Sequence, residues 1–139
     1  TVTTGFPRWP AAPGAALPEA LTRFLAEGPA PVGFTPGSAM AHGRDFFAAA
    51  LRACEALGLR AVLVTPFADQ LPARLPPWTH AVDYVPFDRL MPRLRAVVHH
   101  GGIGTGVEAA SAGVPQGLAP FAHDQFDNTD RGVRRGVGL

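Results

Sequence analysis

The apolar positions of this chain change their period several times, and each change marks an element. Leu21, Phe24 and Leu25 recur at helical spacing after Pro18-Glu19, and Gly28-Pro29 stops the run, which predicts a short helix. Residues 31–35 read as a strand. Phe46, Phe47, Ala50, Leu51, Cys54 and Leu57 then repeat every three to four positions over 44–57, and Gly58 follows as a C-cap residue would. Residues 60–65, 81–85 and 95–99 are short apolar runs without alternation, the pattern of strands covered by helices on both faces. A helix-compatible stretch over 105–112, a stop at Gly113, a strand over 114–118 and a helix over 125–135 follow, the last with Asp124 as N-cap and Gly136 beyond its end. Strand and helix alternating from residue 31 onward predict an α/β domain, a Rossmann-like open parallel sheet with right-handed crossovers and helices on both faces. Residues 1–20, with prolines at 7, 10, 13 and 18, suit an extended interdomain linker and lead-in. That leaves 21–139 as the folded domain, and the uncapped strand-like start at 137–139 predicts that the domain continues further.

A length of 139 residues matches one domain with a single respectable core. Although 47% of the residues are hydrophobic, no apolar run approaches the roughly 18 a membrane span requires. With no signal pattern at the N-terminus either, the expectation is a soluble, cytoplasmic protein. A net charge of +1 with intermingled acids and bases provides no footprint for nucleic acid or an anionic membrane. Cys54, the one cysteine, falls inside an apolar helical pattern and reads as a buried thiol, which excludes disulfides and cysteine metal sites. No metal is expected from histidine either. His99 and His100 are adjacent in a strand and point to opposite faces, and His42, His80 and His123 lack ligand spacing with any partner. Ser38 and Ser111 stand outside any G-x-S-x-G elbow, which argues against a serine nucleophile.

The chemistry concentrates in residues 99–108, where Gly101, Gly102, Gly104 and Gly106 fall at a strand-to-helix junction. Glycines let a ligand approach the backbone, and the first amides of the helix offer unpaired N–H groups to an anion. Thr105 adds a hydroxyl in the first turn, and His100 an imidazole nitrogen at the strand's end; a diphosphate suits such a site. A merely tight turn is the plainer alternative, but four glycines exceed what one turn needs. Glu108 lies one helical turn beyond Thr105 and can accept two ribose hydroxyls, or can equally be a solvated helix acid. Asp124-Gln125, at a polar tip after an apolar strand, offers acceptors and an amide for vicinal sugar hydroxyls, and Asp124 can also act as N-cap. A rival reading is an NAD-type Rossmann oxidoreductase, since Gly102-Ile103-Gly104 follows a strand and Asp124 lies downstream; its third glycine fails at Val107, and the fingerprint belongs to a domain's first strand.

Five stretches together resemble one family in order and spacing: Gly33-Phe34-Thr35-Pro36-Gly37-Ser38, Tyr84-Val85-Pro86-Phe87, residues 99–108, Ala112-Gly113-Val114-Pro115-Gln116, and residues 120–128. They resemble bacterial members of the GT-B glycosyltransferases, which also include UDP-glycosyltransferases of plants and animals and sterol and macrolide glycosyltransferases. The likeness is strongest to rhamnosyltransferase-like and macrolide-transferase-like bacterial members, and it covers nearly the whole chain. The resemblance implies the C-terminal, donor-binding half of a hexosyltransferase, taking a UDP- or dTDP-linked hexose as substrate with no cofactor or metal. It implies that Ser38, His100, Gly102, Gly104 and Thr105 hold the diphosphate and Glu108 the ribose. It further places Tyr84, Val85 and Phe87 at the base and Asp124 and Gln125 at the sugar. The family's catalytic base, a His, and its acceptor pocket belong to an N-terminal domain, so no catalytic residue is expected here. Plant members carry Trp and Gln where this chain has Tyr84 and Phe87, which leaves the base open, and Asn where it has Gly104, which replaces a side-chain phosphate contact by backbone. A non-catalytic nucleotide-sugar-binding subunit is the second alternative.

Overall fold

The computed structural model describes residues 5–8, 11, 12 and 14–139; the expected linker prolines at 10 and 13 lie outside the described residues. Five strands, β1 (Val32–Thr35), β2 (Ala61–Val64), β3 (Thr79–Val82), β4 (Ala96–His99) and β5 (Gln116–Leu118), form one parallel sheet in the order β3-β2-β1-β4-β5. The helices are α1 (Glu19–Ala26), α2 (Arg44–Leu57), α3 (Phe87–Leu90), α4 (Ile103–Ser111) and α5 (Gln125–Arg134). The expected α/β architecture is therefore the observed one.

Every residue of β1 and β2 is buried, because each face of the sheet carries its own core. Along β2, Val62 and Val64 join Leu21, Leu90, Met91, Val97 and Ala109 on one side. Ala61 and Leu63 join Phe34, Phe47, Ala50 and Cys54 on the other. A strand apolar in both directions cannot alternate, which is why its sequence reads as a continuous run. Helix α2 buries Phe47, Ala50 and Cys54 and ends at Gly58, whose left-handed φ of 61° suits glycine. Leu57, expected on the core face, is 69% exposed, because the helix's contact with the sheet finishes one turn earlier. Burial pushes the Cys54 thiol up from its ordinary value, in keeping with an inert core residue.

Several boundaries differ from the expected ones. The strand expected over 81–85 is β3 at Thr79–Val82. Its ladder stops where its partner β2 stops, at the Val64–Val82 pair, so residues 83–86 leave the sheet. Helix α4 starts two residues before Thr105, with extended Gly102 at the N-cap and the Gly106 amide bonded back to the Gly102 carbonyl at 3.0 Å. Tertiary packing thus overrides the poor helix propensity of Gly104 and Gly106. Asp124 occupies the N-cap position of α5 but makes no side-chain cap bond; its Oδ2 accepts from Asn128 Nδ2 at 2.8 Å instead. Helix α3 had no periodic signal, being too short to show one. Beyond β5 the ladder continues, since Leu139 N–H donates to the Gln116 carbonyl at 2.9 Å and Leu118 N–H to the Leu139 carbonyl at 2.8 Å. Among the described residues no helix is long and apolar enough to cross a membrane.

Candidate functional site

In a parallel sheet of this order the chain runs outward from β1 through β2 to β3 and then crosses back to β4 on the other side of β1, which opens a crevice outside the carboxyl ends of β1 and β4. A cleft of about 590 Å³ occupies that position. The turn after β1 contributes Gly37 and Ser38, the β4–α4 turn contributes His100 and Gly102, the first turn of α4 contributes Gly104 and Thr105, and Glu108 projects from the next turn of α4. The loop from β3 into α3 closes the far side with Asp83, Tyr84, Val85, Phe87 and Asp88. Nine residues read from the sequence as ligands of phosphate, ribose and base therefore line one cleft. Tyr84 is exposed and Val85 buried, so one offers a ring to solvent and the other a wall. Thr35, Asp83, Asp88 and the backbone around Ala11 and Ala12 also line it, and the sequence reading missed all of them. Asp83 and Asp88 flank the Tyr84–Phe87 stretch and were within reach of it; the N-terminal alanines carry no chemical signal at all.

His100 sits between two glycines. A Cβ on Gly37 would lie 2.8 Å from the imidazole, and one on Gly102 would overlap Nε2, so only glycine at both positions leaves the ring its place. Its Nδ1 is buried with no hydrogen-bond partner. Burial holds the imidazole below its ordinary value; the Thr35 backbone and the Asp124 carboxylate oppose that, although no hydrogen bond of normal geometry reaches Nδ1. A neutral His100 keeps one N–H to give, which is what an anionic oxygen accepts. Gly102 caps α4 without any side-chain bond, and a helix leaves its first amides unpaired, so the turn presents donors to the cleft.

His99, the preceding residue, faces the opposite way and is fully buried. Its Nδ1 accepts from the Gly101 amide at 3.1 Å and its Nε2 meets Gln116 Oε1 at 2.9 Å. The first contact makes Nδ1 the acceptor, so the proton is on Nε2 and is donated to Gln116. Gly101 has φ 81°, and a Cβ there would come within 2.6 Å of Thr129 Oγ1 on α5. The glycine turn is thus held from behind by a histidine that never touches the cleft.

Asp124 and Gln125, read as sugar ligands, do not line the cleft. Gln125 Oε1 accepts the amides of Phe121 at 2.8 Å and Ala122 at 3.1 Å, so it braces the loop before α5 and only its amide nitrogen remains to donate outward. Phe121 packs edge-on against Phe46 at 5.8 Å between ring centroids, which anchors the same loop to α2.

The electrostatics of the cleft run against expectation. Asp83, Asp88 and Glu108 line it, and no lysine or arginine does so among the described residues. A cation reaches it from the N-terminal segment: Arg8 grips Glu108 with both arms, Nη2 to Oε2 at 2.8 Å and Nε to Oε1 at 3.2 Å. The Ala11 amide donates to Asp88 Oδ2 at 3.2 Å beside it.

The family described as erythromycin biosynthesis protein CIII-like, C-terminal domain, matches residues 39–139. The elloramycin glycosyltransferase ElmGT of Streptomyces olivaceus is 44% identical over 66 residues, covering 48% of this chain and 17% of that protein. The crystal structure of the glycosyltransferase SnogD from Streptomyces nogalater superposes with a TM-score of 0.75 at 31% identity, over 94% of this chain and 36% of that one. The glycosyltransferase VinC, solved in complex with dTDP, gives 0.67 at 32% identity, over 90% of this chain and 31% of that one. The chain spans about a third of the length of these solved proteins and less of ElmGT.

Proposed function

The chain belongs to the erythromycin biosynthesis protein CIII-like C-terminal domain family, and on that premise we propose that it is the donor-binding domain of a glycosyltransferase that takes a UDP- or dTDP-linked hexose. The observation that carries this reading is the convergence of the glycine turn, Glu108 and the Tyr84–Phe87 loop on one cleft at the sheet's switch point. The dTDP complex of the similar VinC supports a nucleoside diphosphate there. In the proposed arrangement the diphosphate rests on the first amides of α4 with Thr105, Ser38 and His100, the ribose hydroxyls on Glu108, and the base along Tyr84, Val85 and Phe87. Asp124 and the free amide of Gln125 reach the sugar from the start of α5.

When the glycosyl bond breaks, negative charge gathers on the departing diphosphate. Donors already aimed at that position stabilise it without reorganising, which lowers the barrier to displacement. The nucleotide-sugar enters as substrate, and neither a cofactor nor a metal is part of the proposal. The acceptor hydroxyl and the base that activates it come, in this proposal, from an N-terminal domain. Nucleic acid and membrane have no role in it. The oxidoreductase alternative falls with the family, because its glycine fingerprint was incomplete at Val107 and the relatives are glycosyltransferases by name.

Calorimetric titration of the chain with UDP, dTDP, their hexose conjugates and NAD tests the reading. One of the two pyrimidine diphosphates is expected to bind and NAD not to; binding of NAD alone, or of none of them, overturns it.

A further inference from the structure

The acidic lining of the cleft conflicts with an anionic ligand. Asp83, Asp88 and Glu108 face a space that, on the reading above, must admit a nucleoside diphosphate, and like charges repel strongly where water is partly excluded. Arg8 is placed to resolve that conflict. Its guanidinium meets the Glu108 carboxylate in a bidentate pair, the geometry in which arginine fixes a carboxylate most firmly. A carboxylate has about four lone-pair sites, and this grip takes one on each oxygen, which leaves one on each for two vicinal ribose hydroxyls. The Glu108 side chain is 18% exposed and that of Arg8 44%, so the pair stands at the mouth, where an incoming nucleotide meets it. The Ala11 amide on Asp88 ties down the same segment, and Ala11 and Ala12 extend the wall.

We infer that Arg8 is a positioning residue of the donor site: its bidentate pair with Glu108 orients that carboxylate toward the ribose and cancels its charge, so that Arg8, Ala11 and Ala12 together wall the nucleotide cleft. The inference rests on the proposed function. It opposes the view of the N-terminal segment as a passive connector, and equally the view of Arg8 as a plug that the nucleotide must expel.

Titration of the full chain with whichever of UDP and dTDP it binds tests this. Arg8→Ala should weaken binding about tenfold at low salt, the size of one charge-assisted hydrogen bond lost. Arg8→Lys, which keeps the charge but not the fork, should recover only part of that loss. In a Glu108→Ala background the same Arg8→Ala change should cost less than about threefold, because Arg8 then has no carboxylate to hold. Unchanged or tighter binding by Arg8→Ala overturns the inference while the parent's binding upholds the donor-site reading. A full tenfold loss in the Glu108→Ala background overturns it too, by showing that Arg8 acts on the ligand directly. A parent chain that binds neither nucleotide overturns both. The thermal midpoint of unliganded Arg8→Ala, expected to equal the parent's, separates loss of binding from loss of fold.

Discussion

His99 and His100 leave the end of β4 as neighbours in sequence and enter different regions of the molecule. Behind the glycine turn, His99 uses both ring nitrogens inside the protein, on the Gly101 amide and on Gln116. In front of it, His100 lines the cleft and keeps a buried Nδ1 without a partner. Hydrogen-bonding capacity that is used up internally marks a structural pin. The His100 ring borders the cleft instead, and of its two nitrogens only Nε2 is open to a ligand there, Nδ1 being buried. One residue type thus serves two roles, and the alternation of side chains along a strand is what divides them.

The largest effect should come from breaking the pin. His99→Leu leaves the Gly101 amide and Gln116 Oε1 buried without partners, at about 1–3 kcal/mol each, so urea unfolding should show a loss of about 2–6 kcal/mol. Pairing it with Gln116→Leu should return part of that loss, because both ends of one bond then become apolar. A loss under about 1 kcal/mol in the single variant would place His99 alongside ordinary core residues rather than in a bonded pair.

The second effect falls on binding rather than on stability. His100→Ala should weaken the nucleoside diphosphate by about 1.5–3 kcal/mol, the range for a hydrogen bond to a charged group, with a much smaller effect on the nucleoside alone. Its unfolding free energy should stay within about 1 kcal/mol of the parent, because no internal bond is lost. If instead the two histidine variants lose stability equally and bind equally, the contrast between them is void.

The smallest effect sharpens the comparison through pH. Burial holds His80, His99 and His100 all below the ordinary imidazole value. In His99 the Gln116 bond opposes that shift, while the nearness of His100 adds to it. The unfolded chain takes up protons near pH 6.5 that the fold refuses, so these groups contribute full stability above about pH 6.5 and lose it as pH falls below. The thermal midpoint should therefore drop between about pH 7.5 and about pH 5.5, and His99→Leu should drop less steeply across the same window. A parent midpoint that is flat, or that rises on acidification, would contradict the burial of these rings.

Much of this was legible in the sequence, and the reasons differ by residue. Helix α2 was readable to the residue because Phe47, Ala50 and Cys54 repeat at one period and Gly58 ends it with a conformation few other residues adopt. Strand β3 was misplaced by two residues at its start and three at its end, because its end is set by where β2 stops, and no local pattern records a partner's length. At the site, glycines and a histidine beside a strand announced the turn that lines the cleft. The binding of Gln125 Oε1 to two amides of its own loop was not legible, because backbone conformation sets it, and it leaves the side-chain amide nitrogen to face outward. Arg8 carried no signal, because its partner is a hundred residues away and nothing near either residue points to the other.

The sequence alone determined the class of fold, the alternation of strand and helix, the burial of Cys54 and the small-residue turn after β4. These follow from periodicity, side-chain volume and backbone freedom, all properties that act over a few neighbouring positions. Only the tertiary structure decided that His99 spends both nitrogens on Gly101 and Gln116, that Asp124 bonds Asn128 instead of capping α5, and that Arg8 and Glu108 meet at the mouth of the cleft. Those outcomes depend on which distant groups the packed sheet brings within hydrogen-bond distance, and short-range patterns along a chain carry no record of that distance.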